Sequence, residues 1–357
     1  MSTIKSTSYS IYIGDSSLDA LNTFLAKNKY SSYFIICDEN TFEHCLPTLL
    51  FHSPLLNEAE IIELESGEDK KTLDTCLQVW GALTDAGADK KSLIINLGGG
   101  VISDLGGFVA STFKRGIDFV NIPTTLLAMV DASVGGKTGV DFEGIKNHIG
   151  TTCEPKGVFV NPEFLNSLSG RQIKNGYAEI IKIALIADAD FWKEIKKLKT
   201  PPEFSNKTII TKAIELKNNI VKKDLHEKSI RKSLNFGHSI GHALESSLLE
   251  QKKDILHGEA IAAGMIMELI IANKLKMIAA KELKEITDYI NSIYKPIVLT
   301  KETEKLISKY ILHDKKNEGD QLCFALPDKT GAYKLSTGIT KDGVTEAISV
   351  YQKHQLL

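Results

Sequence analysis

Ser92-Leu-Ile-Ile-Asn-Leu-Gly98-Gly-Gly100-Val-Ile-Ser-Asp104 decides the fold of this 357-residue chain. Ser92 to Leu97 is a short apolar run that reads as a buried strand, and the apolar stretch Leu105 to Thr112 after it reads as a helix. Between them stand Gly98, Gly99 and Gly100, whose missing side chains let a phosphate approach the backbone at a helix N-terminus. The spacing is not Gly-x-Gly-x-x-Gly, and a Gly-rich strand-to-helix turn by itself is weak evidence for dinucleotide binding. Asp104 adds a carboxylate available to a ribose or a nicotinamide amide.

Working outward, Tyr9 to Ile13, Tyr33 to Cys37, Ile61 to Leu64, Phe119 to Ile122 and Val158 to Val160 read as further strands, with Leu18 to Lys27 and Thr72 to Ala86 as helices. Such alternation predicts a parallel sheet, whose ligands gather at the carboxyl ends of the strands. Asp38 and Asn40 lie just past one such end, where Asp38 can accept ribose hydroxyls or cap the next helix. Glu68 and Lys71 follow the next strand, and Thr124 and Thr125 a later one. Asp131 to Val140, with Lys137, followed by Lys146-Asn147, reads as a loop that suits a phosphorylated, polyhydroxylated small molecule or, equally, a solvated surface. After Asn161-Pro162 the strand pattern mostly stops. The expectation is therefore an α/β domain over 1–162, Rossmann-like and parallel-sheeted, and a mainly helical domain over 163–357, with a short hairpin near its end.

The second half holds Arg231-Lys-Ser-Leu-Asn235-Phe-Gly-His238-Ser-Ile-Gly-His242 and, further on, Leu256-His257-Gly-Glu, with three of the nine histidines. On a helix over Leu234 to Leu249, His238 and His242 share a face one turn apart, a spacing suited to a ligand or catalytic pair. The alternative is a pair of core histidines bonded to backbone carbonyls. Glu179 lies inside the apolar helix Ala178 to Ala187, where an uncompensated carboxylate is costly, so it is a candidate third metal ligand. Lys182 shares its face. Lys217 sits on the amphipathic helix Ile209 to Lys223, where nothing local marks it.

With 43% apolar and 25% charged residues and a net charge of −2, the composition is that of a soluble globular protein and argues against nucleic acid or an anionic membrane as the main partner. Five dispersed cysteines suit a reducing compartment. The N-terminal residues lack the apolar core of a signal peptide, and no apolar run approaches a membrane span. The expected location is cytoplasmic.

Together, in order and spacing from about Asp38 to Lys316, these motifs resemble the dehydroquinate synthase family of the shikimate pathway, among the sugar-phosphate cyclases. The resemblance implies an NAD-binding domain, a helical domain, and one zinc ion, or cobalt in its place. It implies Glu179, His238 and His257 as metal ligands, with His242 behind them or handling protons instead of ligating. Asp38, Asn40, Glu68, Lys71, Gly99, Gly100, Val101, Asp104, Thr124 and Thr125 match NAD contacts, joined by Asp131, Lys137 and Lys146. The substrate pocket is implied at Asp131, Lys137, Lys146, Asn147, Lys182, Lys217, Arg231, Asn235, His242 and one of Lys315 or Lys316. Arg115 matches a residue that reaches the substrate phosphate across a homodimer interface. The implied reaction turns a phosphorylated sugar acid, 3-deoxy-D-arabino-heptulosonate 7-phosphate, into 3-dehydroquinate and phosphate.

Ile145 replaces the family's glycine before Lys-Asn, and Ser169-Gly170-Arg171-Gln172 replaces Pro-x-Arg-Glu. The alternatives are another sugar-phosphate cyclase, or an NAD-dependent metal polyol or glycerol-phosphate dehydrogenase, which shares the Gly-Gly-Gly-x-x-x-Asp turn. Lys137, Lys146-Asn147 and Arg231-x-x-x-Asn235 favour the cyclase.

Overall fold

The computed structural model describes residues 1–143, 145–312 and 322–355. The chain divides into two compact units, Met1–Ser169 with Ser205–Leu225, and Gly170–Phe204 with His226–Leu357. This division differs from the boundary expected at 162/163 chiefly in one element. The helix Lys207–Lys223 belongs with the first unit, where Asn218 donates to the Lys5 carbonyl at 3.1 Å and Lys217 reaches Asp131. Its amphipathic pattern alone does not say which core it covers.

The strands of the first unit are β1 (Ser2–Lys5), β2 (Ser10–Ile13), β3 (Tyr33–Asp38), β4 (Glu60–Leu64), β5 (Leu93–Gly98), β6 (Asp118–Pro123), β7 (Lys137–Phe142), β8 (Ile145–Thr152) and β9 (Val158–Val160). Seven of them form one sheet in the order β1-β2-β9-β6-β5-β3-β4, antiparallel only between β1 and β2. Every residue of β5 is buried, as expected of a central strand covered on both faces. Phe34, Ile36 and Ile94 of the sheet pack with Val79, Leu83, Leu105 and Val109 from the covering helices.

The chain leaves β3 for β4 on one side and returns to β5 on the other, so the strand order reverses at β3. Ligands of open α/β sheets bind beyond the carboxyl ends at such a reversal. Asp38 ends β3 and Gly98 ends β5, the two adjacent strands that flank it. Within β6 the side chain of Asn121, paired with buried Asn96 at 2.9 Å, donates to the Ser133 carbonyl and pins the turn carrying Asp131.

The segment expected as a loop from Asp131 onward is instead the end of a π-helical turn, Ala128–Ala132, followed after a short connection by the β7–β8 hairpin. Gly139 and Gly150 pass each other in that hairpin so closely that a Cβ on Gly139 would stand 2.6 Å from the Ile149 carbonyl. Glycine there is a strand-pairing device, which glycine content read as loop composition conceals.

The second unit is built on the helices Gly170–Ala187, His238–Glu250 and His257–Lys274, the last packing against both others. The His238–Glu250 helix starts later than the expected Leu234. Gly237 holds a φ of 78°, a left-handed conformation that stops the preceding 3-10 turn Ile230–Asn235 from running into it. The expected hairpin is present as β10 (Leu322–Lys329) against β11 (Ala332–Ile339).

Candidate functional site

In the first unit the Gly100–Thr112 helix begins with Gly99 at its N-cap and no side-chain cap, leaving its first amides to a ligand. A Cβ on Gly99 would meet Thr125 Cγ2 at 3.1 Å, so a larger residue would need Thr125 to give way. Gly100 and Val101 form the first turn. Thr124 lies beside them through its amide, which donates to the Gly98 carbonyl at 3.0 Å, and its buried hydroxyl has no hydrogen-bond partner. Thr125 accepts from the Ala128 amide at 3.1 Å and so also caps the following turn.

Asp104, one turn into the same helix, is bound by the ammonium of Lys71 at 2.9 Å. Lys71 is 3% exposed and also faces Glu68 at 3.5 Å and Asp141 at 4.0 Å. Burial alone would lower its pKa, but the three carboxylates raise it above the ordinary lysine value. Burial likewise pushes Asp104 upward against the pull of Lys71. Lys146 approaches Glu68 at 3.5 Å, and the Asn147 amide donates to Asp141 at 2.7 Å from a residue with φ of 50°. Asp141 thus joins a network that sequence reading did not mark; nothing in its local sequence distinguishes it.

Asp38 accepts from the Thr41 amide at 2.8 Å within a reciprocal capping box, so the capping alternative describes what its side chain does here. Asn40, Arg115 and Lys137 are exposed. Lys217, by contrast, is buried and donates at 2.5 Å to both the carbonyl and the carboxylate of Asp131. A lysine drawn out of solvent to that partner is marked by its environment, not by its helix.

In the second unit Glu179, His238 and His257 converge. Glu179 is buried at 2% exposure; its Oε1 lies 3.4 Å from His238 Nε2 and 3.5 Å from His257 Nε2. Lys182 contacts its other oxygen as an ion pair, yet neither carboxylate oxygen has a partner in hydrogen-bonding geometry. His238 Nδ1 lies 3.1 Å from the Phe236 carbonyl and His257 Nδ1 lies 3.3 Å from Glu245. Tying the far nitrogen this way directs each Nε2 toward Glu179. Burial disfavours the Glu179 carboxylate, but Lys182 and His257 outweigh it and hold its pKa at about 2. Burial would lower the pKa of His257, while Glu245 and Glu179 push it up to about 9. Two carboxylates here call for positive charge.

These residues fit a divalent metal. Ligand atoms about 2.1 Å from a tetrahedral zinc stand about 3.4 Å apart, which the two Glu179–imidazole distances match. His242 is close as well, since ligating nitrogens of His238, His242 and His257 lie within 4.8 Å of one another. We favour Glu179 over His242 in the set, because its Oε1 stands at ligand–ligand distance from both imidazole Nε2 atoms.

Residues that sequence reading missed hold this cluster in place. Asn175, one turn before Glu179, accepts from the Gly258 amide at 2.6 Å and joins the Glu179 helix to the start of the His257 helix. Glu259 accepts from the Leu256 amide at 3.0 Å and from Arg171 Nε at 2.7 Å, so the Arg171 of the departing Ser-Gly-Arg-Gln segment clamps the same helix start. Glu245 follows His238 by seven residues, two turns on the same face, a signal the sequence did contain. Arg231 is buried in its 3-10 turn, where Asn235 donates to Glu227 at 2.5 Å. Lys315 and Lys316 lie outside the described residues. Among the described residues no helix is long and apolar enough to cross a membrane.

Comparison with known proteins bears on the family of the chain. The family models described as "3-dehydroquinate synthase N-terminal" and "3-dehydroquinate synthase C-terminal" match residues 61–175 and 176–317. The 3-dehydroquinate synthase of Parabacteroides distasonis is 39% identical over 335 residues, 93% of this chain and 95% of that protein. The fold is similar to that of 2-deoxy-scyllo-inosose synthase complexed with carbaglucose-6-phosphate, NAD+ and Co2+, with a TM-score of 0.86, 25% identity and 99% of each chain covered. It is equally similar to 2-epi-5-epi-valiolone synthase from Streptomyces hygroscopicus with NAD+ and Zn2+ bound, again with a TM-score of 0.86, 25% identity and 99% of each chain covered. With two successive family models spanning most of its length and a relative of this identity along nearly all of it, the chain belongs to the 3-dehydroquinate synthase family.

Proposed function

We infer that this chain is a 3-dehydroquinate synthase, a carbon–oxygen lyase of the shikimate pathway that converts 3-deoxy-D-arabino-heptulosonate 7-phosphate to 3-dehydroquinate and phosphate, with NAD and zinc or cobalt as cofactors. The reaction is redox-neutral overall: a substrate hydroxyl is transiently oxidised, phosphate is eliminated, the ketone is reduced again, and an intramolecular aldol step closes the carbocycle. When bound, NAD supplies a reversible hydride acceptor and the metal a Lewis acid. The observation that carries the reading, in a chain of this family, is the buried Glu179 carboxylate facing two imidazoles whose far nitrogens are engaged.

The protein's own groups have definite tasks. Glu179, His238 and His257 hold the metal, with His242 beside them for proton handling. The open amides at Gly99 to Val101 receive the pyrophosphate of NAD, and Asp38, Asn40, Glu68, Lys71, Asp104, Thr124 and Thr125 surround the rest of it. Asp131, Lys137, Lys146, Asn147, Lys182, Lys217, Arg231 and Asn235 orient the substrate and stabilise the charge that develops as phosphate leaves. No separate nucleophile is required, since the substrate phosphate can itself take the proton. The resemblance also supports a cytoplasmic homodimer in which Arg115 serves the neighbouring subunit.

Incubation with the heptulosonate phosphate and catalytic NAD tests this directly. Phosphate release over many turnovers without accumulation of NADH is the expected outcome. Stoichiometric NADH with phosphate retained on the product would establish a polyol-phosphate dehydrogenase instead.

A further inference from the structure

Glu268 is wholly buried, yet it belongs to none of the groups assigned above. It lies 11 residues after His257 on the same helix, about three turns and only about 20° round, so both project from one face. That face packs on the His238–Glu250 helix. Gly264 lies between them, so close to the neighbour that a Cβ would stand 2.2 Å from the Gly237 carbonyl and 2.7 Å from the Gly241 amide. The carboxylate of Glu268 reaches across: Oε2 accepts from the Gly237 amide at 2.7 Å and Oε1 from the Ile240 amide at 3.1 Å.

These are amides at the start of the helix whose first residue is His238, and that helix takes no side-chain cap from its own N-cap residue, Gly237. Helix starts are ordinarily capped by a nearby serine, threonine or aspartate in the same segment. Here the cap comes from the helix that carries His257. A buried carboxylate engaged through both oxygens fixes the sliding and the rotation of one helix against the other. An apolar contact would fix neither to the same degree.

We propose that Glu268 is a positioning residue for the metal centre, setting His238 against His257 by capping the helix of one from the helix of the other. The proposal rests on the reading of Glu179, His238 and His257 as metal ligands. Its consequence is that metal affinity and ligand geometry depend on a carboxylate that touches neither metal nor substrate.

The test uses the full chain, stripped of metal and reloaded. Zinc affinity is read by competition with a chromophoric chelator, ligand geometry by the visible bands of the Co2+-loaded protein, and folding by circular dichroism. Glu268→Gln keeps the shape but turns one acceptor into a donor, and should weaken zinc binding about tenfold; Glu268→Leu should approach a hundredfold. The Co2+ bands should shift in both. His257→Ala serves as the control that removes a ligand. If Glu268→Leu fails to fold, the glutamine variant decides. Wild-type zinc affinity and Co2+ bands in Glu268→Gln, with zinc lost in His257→Ala, would overturn the positioning role and leave Glu268 a cap for stability only. Zinc retained by His257→Ala would instead overturn the ligand assignment, and the proposal with it.

Discussion

The ammonium of Lys71 lies 2.9 Å from the carboxylate of Asp104, and with 3% of its side chain exposed it has little water to fall back on. Glu68 and Asp141 stand at 3.5 and 4.0 Å on its other sides. Removing the cation leaves three partly exposed carboxylates facing one another without it, so Lys71→Met should cost about 1.5 to 3 kcal/mol in a urea titration. Adding Asp104→Asn should recover part of that loss, because the two residues are coupled. The raised pKa of Lys71 means that its contribution is complete below the unfolded value of about 10.4 and is lost only as pH rises through the higher folded value. Between about pH 6 and 9 this group should therefore leave stability flat. A Lys71→Met protein within about 0.5 kcal/mol of wild type would show the cluster to be relieved by other means.

The sheet was legible because Ser92 to Leu97 and its fellow strands are short apolar runs separated by helical periodicity, and the glycine turn marks the strand end where ligands gather. What sequence could not show was partnership. Lys217 looks like any lysine on a solvated helix until Asp131 draws it in, Asp141 gains meaning from Lys71, 70 residues earlier, and Glu268 from amides on a facing helix. The hairpin after Asp131 was missed for a related reason, since its glycines serve close strand approach while glycine-rich composition reads as loop.

Gly99→Val should weaken NAD binding by about tenfold or more, about 1.4 kcal/mol. The added Cβ starts 3.1 Å from Thr125 Cγ2, and its methyls would screen the amides that open the Gly100–Thr112 helix. Isothermal calorimetry reads this directly. Unchanged affinity would move the pyrophosphate away from the turn.

Glu179→Gln should abolish stoichiometric zinc as measured by metal analysis of dialysed protein. The variant keeps the volume but removes the charge that faces both imidazoles and Lys182. Full occupancy in that protein would favour the alternative set of His238, His242 and His257, which is also compact enough to hold an ion.

Lys146→Met separates a binding role from a surface one by comparing two readouts. The ion pair of Lys146 with Glu68, 3.5 Å long and partly exposed, is of the kind that contributes at most about 1 kcal/mol, so thermal stability should change little. A charge-assisted contact to a substrate phosphate is worth about 1.5 to 3 kcal/mol, so kcat/KM for phosphate release should fall roughly 10- to 150-fold. A large kinetic loss beside a small stability loss is the expected pattern, because the lysine is held ready by Glu68 without being needed to fold the hairpin. Wild-type kinetics in Lys146→Met would return the β7–β8 hairpin to the status of solvated surface, and the leaving phosphate would then have to be met by other cations among the proposed groups, Lys137, Lys182, Lys217 and Arg231.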